Sequence, residues 1–439
     1  MVVYVIILSK VVDIMVNIPE DVKTIMKKVN DLGYEIYLIG GFVRDSIMQR
    51  TNKDYDLCTN MPFDEIKKII PNFTVMREND HRNTGVVRVN GVDIEITMLR
   101  GKNLYEDLLN RDFTINSIAL DSDGNIVDLL SGQSDIDNKM ISLSDKSGIA
   151  FENDPLRILR AIRFASILGF EIDENTYSHM LDKKHLLNNV ACERALSELN
   201  KIIMCDNPGE VIRKYHDIFS VIIPELEDIR DVSQNNPYHV YDVFEHTMTS
   251  LNCSDKNLDL RYAIIFHDMG KKETKTTDGE GIDHFYGHPK ISTEKFINFA
   301  KRMRMDNTST ERIKKLIFFH DVTLSEKSKG MNKFLQIFGV DDIELLFDIK
   351  LCDILGQNLE KADRIDALNH LKEMYVKYIK SSPVLHVKDL DISGRDLINM
   401  KFEGKIIGII LKDVLEQVSG ENLNNSSEEI INYVNSKYR

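Results

Sequence analysis

Two carboxylates one residue apart, Asp54 and Asp56, open the apolar run Asp-Tyr-Asp-Leu-Cys-Thr. In a strand, alternate side chains share a face, which sets this pair about 6.6 Å apart along the chain. Hard divalent cations take such oxygen ligands, and two Mg2+ ions ~3.5–4 Å apart stabilise both the attacking and the leaving oxygen of an in-line phosphoryl displacement. The plain alternative is two solvated carboxylates at a strand start. Upstream, EIYLI runs into Gly40-Gly41 and a helical pattern, FVRDSIM, with Arg44 one turn inside. Main-chain N–H groups at such a strand-to-helix turn can approach an anion closely, although many glycine pairs are only tight turns. Downstream, VDIEI alternates, with Asp93 and Glu95 opposite the aliphatics. One of them is a candidate third carboxylate, assigned to Glu95 as a catalytic group beside Asp54 and Asp56; the alternative is a strand with one solvated face.

A second concentration of chemistry lies further on. Of 12 histidines, six (His239, His246, His267, His284, His288, His320) fall between residues 239 and 320. Carboxylates accompany them, Asp268 next to His267 and Asp353 in KLCDILG. Imidazole with carboxylate suits Mn2+, Fe, Ni2+ or Mg2+ better than a structural zinc, for which cysteine is expected. Any one of these histidines taken singly reads as an ordinary core or surface residue.

The elements that must position these groups change character along the chain. Residues 17 to about 140 mix short β-rich runs (EIYLIG, DYDLCT, GVVRV, DIEITML, SIALD) with helices and Gly/Asn/Asp turns, which reads as an α+β head with a mixed or antiparallel sheet. From about 151 onward, helical periodicity dominates. At roughly 100–200 residues per domain, 439 residues imply several domains, divided as a head (17–140), a helical neck (141–230), a body (231–380) and a helical tail (381–439). The composition, 42% apolar and 29% charged, is that of a globular protein. Five cysteines without CxxC spacing suggest neither a disulfide framework nor a zinc ribbon, and fit a reducing cytoplasm. The run from Val2 to Leu8 is far shorter than the ~20 residues of a spanning helix; with no signal-peptide features, no membrane segment and no export are expected, and Met15, ahead of Pro19 as first helical residue, looks like a natural start. A net charge of −14 argues against a generic basic coat for nucleic acid, so any polyanion must meet a local patch. The candidates are Lys23/Lys27/Lys28, Arg157/Arg160/Arg163 and Arg312/Lys314/Lys315.

The blocks LIGGFVRD, DYDLCTN, EDLLNRDFTINSIAL, DLLSGQSDI and ENDPLRILRAIRFASILGF, in this order over residues 35 to about 205, resemble the class II tRNA nucleotidyltransferase and poly(A) polymerase family. The resemblance implies a triphosphate cradle at Gly40, Gly41 and Arg44, and Mg2+ on Asp54 and Asp56, with Asp56 helping to activate an RNA 3′ hydroxyl. It puts Arg111 and Asp112 against the ribose, with Asn116 nearby, a setting in which a 2′-OH can both donate and accept. The base-reading pair falls on Asp154 and Arg157, three residues apart and so expected on one helical face. Asn153 stands where the family usually has Glu. Arg160 and Arg194 match triphosphate contacts. The implied substrates are CTP, ATP and the 3′ end of tRNA, with no DNA.

One departure stands out. Only Gly101 to Tyr105 separate DIEITMLR from EDLLNRDFT, where family members that add all of CCA carry a longer flexible loop. The resemblance then implies efficient CMP addition and poor AMP addition. The histidine-rich region, with HDMGKK as its most telling piece, resembles the HD phosphohydrolase domain. By that match His246, His267, Asp268 and Asp353 hold a divalent metal of unidentified kind, His288 and His320 hold a second ion or a phosphate, and Lys271 orients phosphate. Two alternatives remain open at this stage. One is poly(A) polymerase, which a C-terminus without a basic extension disfavours; the other is a chain that is chiefly a hydrolase of nucleotides or cyclic phosphates.

Overall fold

The computed structural model describes residues 16–79, 82–235, 240–357, 362–381 and 383–439; the apolar N-terminal run, Met15 and His239 lie outside them. The chain is α+β and divides into two compact units, Met1–Ile202 and Ile203–Arg439.

The first unit opens with α1 (Glu20–Asn30), whose buried Val22, Ile25, Met26 and Val29 recur at helical spacing. Pro19 is not its first helical residue. With ψ of 142° it is extended, and its carbonyl accepts the Lys23 N–H, so it caps the helix from outside. Seven strands then build one mixed sheet: β1 (Ile36–Ile39), β2 (Tyr55–Thr59), β3 (Thr74–Asn79), β4 (Arg82–Val89), β5 (Val92–Met98), β6 (Ala119–Leu120) and β7 (Ile126–Val127). Their order is β3-β4-β5-β2-β1-β6-β7. β2 and β5 run parallel and the other neighbours antiparallel. β3 has no apolar alternation to announce it, and its pairing with β4 makes it a strand. The register sets Ile39 opposite Asp56, and Asp56 beside Glu95. Strand pairing therefore joins three sequence segments at one carboxylate.

Helices α2 (Gly41–Ile47), α3 (Phe63–Ile69), α4 (Leu104–Leu109) and α5 (Gly132–Asp137) attend the sheet, followed by α6 (Ile149–Asn153), α7 (Leu156–Leu168), α8 (Glu174–Lys183) and α9 (Cys192–Ile203). A short parallel pair, β8 (Met140–Ile141) with β9 (Glu171–Ile172), ties the segment before α6 to the end of α7.

The second unit is helical: α10 (Pro208–Lys214), α11 (His216–Ile222), α12 (Val243–Asn252), α13 (Leu258–Phe266), α14 (Lys271–Thr274), a hairpin of β10 (Thr276–Thr277) and β11 (Asp283–His284), then α15 (His288–Met303), α16 (Asn307–Phe319), α17 (Ser328–Gly356) and α18 (Ala362–Lys380). Gly339, at φ 81° and ψ 170°, breaks α17 into two helices across a kink. At its far end Gly356 lets α17 come against α12, since a Cβ there would fall 1.9 Å from Ser250 Oγ and 3.0 Å from the His246 carbonyl. The last three helices, α19 (Gly394–Asn399), α20 (Lys405–Ser419) and α21 (Ser427–Tyr438), close on their own core of Leu390, Leu397, Ile410, Val414, Ile430 and Val434.

Candidate active site and candidate metal centre

In the first unit a cavity of about 480 Å³ is walled by Gly40, Gly41 and Arg44; Asn52, Asp54 and Asp56; Arg100, Arg111, Asp112 and Asn116; Asp154, Leu156, Arg157, Arg160, Arg163 and Phe164; and Arg194. Seven arginines face four aspartates here, so an acidic chain encloses a cationic pocket, the electrostatic form that gathers a polyanion.

The turn at the pocket rim follows from glycine. Gly40 sits at φ 80° and ψ −139°, which a side chain would strain, and a Cβ there would lie 3.4 Å from Asp56 Oδ2. Behind the turn, Arg44 donates to Asp45 Oδ1 (2.8 Å) and Asn116 Oδ1 (2.7 Å), while Asn52 holds the other Asp45 oxygen (2.7 Å). Asn116 in turn donates to Asp112 (3.1 Å), and Arg160 clasps Asp112 through two nitrogens. Burial alone would raise the Asp112 carboxyl, but the Arg160 guanidinium, with Asn116 and Arg157, holds it down at about 2. The Phe164 ring lies under three guanidinium groups, those of Arg44, Arg160 and Arg163, at 5.2, 5.5 and 4.4 Å.

Asp56 behaves in the opposite way. Burial, then the neighbouring Glu95, push its carboxyl up to about 6, against a lowering by Arg111, and Asp54 adds to the rise. Glu95 is exposed and outside the cavity wall, so it acts on Asp56 from the adjacent strand. Of the three, Asp54 and Asp56 alone face the cavity, and their carboxylate oxygens are the kind of ligand that a hard divalent cation takes.

Several expectations need correction. Asp154 and Arg157 do not share a helical face. Pro155 follows Asp154 and disfavours helical geometry there, so Asp154 is extended (φ −148°, ψ 93°) ahead of α7 and pairs with Arg194 at 3.2 Å. Arg157, in the first turn of α7, donates to the main-chain carbonyls of Asn110 (2.8 Å) and Arg111 (3.3 Å). Arg111 is paired with fully buried Asp107 at 2.7 Å. The arginines of α7 expected as a patch for a polyanion are engaged within the protein, because Arg157 is buried, Arg160 is bound to Asp112 and Arg163 is bound to Glu198 at 2.9 Å. The Arg312/Lys314/Lys315 group is likewise occupied, by Asp259 and Asp342, by Glu311 and by the Ile337 carbonyl. Sequence reading misses Asn52, Arg100 and Phe164 as lining residues. The aromatic at the end of the arginine-bearing RILRAIRF was the available signal for Phe164.

In the second unit six side chains meet, three on helices (His246 on α12, His288 on α15, Asp353 on α17) and three just past helix ends (His267 and Asp268 after α13, His320 after α16). His246, His267, Asp268 and Asp353 offer ligand atoms within 4.8 Å of one another, and Asp268, His288 and His320 do the same. Asp268 is shared: Oδ2 lies 3.2 Å from His267 and 3.4 Å from His246, while Oδ1 lies 3.3 Å from His288 and 3.8 Å from His320. Asp353 reaches His246 at 3.0 Å. The Nδ1 atoms of His267, His288 and His320 each face the carbonyl three residues earlier, at 2.7–2.8 Å. An Nδ1–H donated there leaves Nε2 lone pairs pointing inward, the outer hydrogen bonding that orients metal-ligating imidazoles. The Nε2 atoms meet in pairs, His246 with His267 at 3.3 Å and His288 with His320 at 3.2 Å. Burial opposes charge on His267, yet Asp268 and Asp353 hold its ring up at about 10; burial and the other imidazoles push His320 well down. A cluster that demands positive charge between facing lone pairs fits a cation. His284 is not in it: it pairs with Asp278 at 2.8 Å on the β10–β11 hairpin. Lys271 is buried, bound to Asp268 (2.6 Å) and Gln234 (2.7 Å), and lines a cavity of about 380 Å³ with His288, His320, Asp353, Gln357 and Arg364.

Comparison with known proteins places three family models along the chain: the Poly A polymerase head domain over residues 36–142, the "Probable RNA and SrmB-binding site of polymerase A" over 169–229, and the tRNA nucleotidyltransferase domain 2 over 282–434. A CCA-adding enzyme of Staphylococcus epidermidis is 27% identical over 440 residues, spanning 94% of this chain and 97% of its own. The crystal structure of the Bacillus stearothermophilus CCA-adding enzyme in complex with CTP superposes with a TM-score of 0.69 at 20% identity, covering 96% of this chain and 97% of that one. The Thermotoga maritima CCA-adding enzyme complexed with tRNA gives 0.62 at 19% identity, covering 97% and 98%. No helix among the described residues is long and apolar enough to cross a membrane. The chain has the fold of these enzymes and is a nucleotidyltransferase, the match to the Poly A polymerase head domain taking in the cavity wall from Gly40 to Asn116.

Proposed function

We propose that this enzyme adds CMP to the 3′ ends of tRNA, releasing pyrophosphate, and adds the terminal AMP poorly. The observation that carries this reading is the single cavity in which the turn at Gly40-Gly41, the Asp54/Asp56 pair, the Arg111–Asn116 segment and the Asp154–Arg160 segment come together. Arg44, Arg160 and Arg194 bind the triphosphate, Arg111 and Asp112 with Asn116 face the ribose, and Asp154 with Arg157 reads the base. Asp54 and Asp56 would hold Mg2+, which would supply charge stabilisation at the reacting phosphate; Asp56 helps to activate the RNA 3′ hydroxyl, with Glu95 the third carboxylate on the adjacent strand. Likeness over nearly the full length to CCA-adding enzymes, whose solved complexes hold CTP and tRNA, favours tRNA over poly(A) synthesis. The endpoint rests on the β5–α4 connection, Leu99–Asn103. It is a hydrogen-bonded turn in which Arg100 N–H donates to Asp107 (2.9 Å), Lys102 N–H donates to Glu106 (2.8 Å) and Asn103 caps α4. Residues 17–140 serve as head, 141–230 as neck, 231–380 as HD body and 381–439 as tail, in a reducing cytoplasm.

A second activity, metal-dependent hydrolysis of a phosphoester at RNA ends, is supported by the six-residue cluster of the helical unit. Paired variants test both readings. Asp54→Ala with Asp56→Ala abolishes CMP addition and leaves hydrolysis intact, while His246→Ala with Asp268→Ala does the reverse. Loss of both activities in either variant, with the fold preserved, contradicts the division of labour.

A further inference from the structure

Of the histidines clustered in the sequence, His284 has no part in the carboxylate–imidazole cluster. It lies parallel to Tyr286, with ring centroids 5.4 Å apart and an interplanar angle of 8°. The stack is built into the backbone. His284 ends β11, its Nε2 meets Asp278 Oδ2 at 2.8 Å across the hairpin, and its Nδ1 lies 3.4 Å from the Tyr286 hydroxyl. Tyr286 is nevertheless 80% exposed, the most exposed large apolar side chain among the described residues. The ring is therefore parallel to His284 with most of the side chain open to solvent.

Its position gives the exposed ring a use. Tyr286 is two residues before His288, so their Cα atoms lie within about 7.6 Å, and His288 lines the cavity beside the cluster. Phe285, between them, sits under the Lys271 amine at 5.3 Å, and its carbonyl faces His288 Nδ1 at 2.8 Å. Lys290 is exposed four residues after Tyr286, and Lys272, exposed next to Lys271, lies 3.7 Å from Asp228. A rigid, half-open aromatic stack beside lysines and a phosphoester-sized polar cavity is the combination with which proteins hold unpaired bases, by stacking on a ring while cations track the phosphates.

We propose that Tyr286, backed by His284, is a stacking platform for the unpaired terminal base of an RNA strand whose end phosphate enters the cluster cavity. The proposal rests on the reading of that cluster as a phosphoesterase. Two measurements on the full, Mn2+-loaded chain decide it. A short single-stranded RNA ending in 4-thiouridine is photo-crosslinked and the joined peptides are identified by mass spectrometry. A crosslink to Tyr286, lost in Tyr286→Ala and kept in Tyr286→Phe, is expected; crosslinks confined to residues 40–194 overturn the platform. In hydrolysis, Tyr286→Ala raises KM for an oligonucleotide 3′-phosphate about tenfold with kcat within about twofold, and leaves both constants for glycerol phosphate unchanged. An equal effect on both esters, or none on either, overturns it. If the wild-type chain cleaves neither ester, the phosphoesterase reading fails, and the crosslink still decides whether a base stacks on Tyr286.

Discussion

At the scale of single residues, Asp112 shows how the pocket couples recognition to stability. Its buried carboxyl is held at about 2 by Arg160, below the ordinary 3.8, so the folded state prefers the ionised form. A depressed folded pKa stabilises above the unfolded value and loses that stabilisation as pH falls through the folded one. The shift corresponds to about 2 kcal/mol, fully present above pH ~5. Asp112→Asn therefore lowers unfolding free energy by about that amount at pH 7, and denaturant titrations of the two proteins converge as the pH approaches 2. A gap that stays constant from pH 7 to pH 3 rules out the ion pair as its source. Asp56, at about 6, marks the contrasting environment beside the glycine turn, where burial and then the neighbouring Glu95 disfavour the ionised carboxylate.

At the scale of elements, legibility follows contiguity. Gly40-Gly41, Asp54/Asp56 and His267-Asp268 carry their chemistry within a few adjacent residues, and the alternation in β2 and β5 is plain. What the sequence does not display is partnership. Arg44 with Asn116, Arg160 with Asp112 and Arg163 with Glu198 join positions 72, 48 and 35 residues apart, and these pairings fix the arginines in the wall of a cavity. Asp154 is a different case, because the proline after it was visible and sufficient to take it off the helix. Gly356 reads as an ordinary helix end, yet it sets how near α17 comes to α12 and so brings Asp353 to His246. Gly356→Ala should cost about 1–3 kcal/mol by overpacking and reduce the metal bound per chain, measured by elemental analysis, while CMP addition persists. Unchanged metal content would mean that the cluster does not depend on that approach.

At the scale of the whole molecule, the proposed function requires a chain of −14 net charge to meet tRNA through local fields. The arginines of the first cavity sit among neutralising aspartates, and the Arg312 group is spent on its own acids. Along α1, Lys27 and Lys28 are exposed and Lys23 is half-buried, and these three are the candidates to meet phosphates. If several phosphates are neutralised there, tRNA affinity falls steeply with salt. Replacing the three lysines flattens that slope in filter binding, and an unchanged slope places the phosphate contacts elsewhere. The most direct measurement gives the enzyme and Mg2+ a tRNA lacking its 3′ CCA, with CTP, ATP or both, and sizes the products by electrophoresis at single-nucleotide resolution. Two added nucleotides that ATP scarcely extends are the expected product of the short β5–α4 turn. Three would contradict the endpoint, and no extension at all would contradict tRNA nucleotidyl transfer itself.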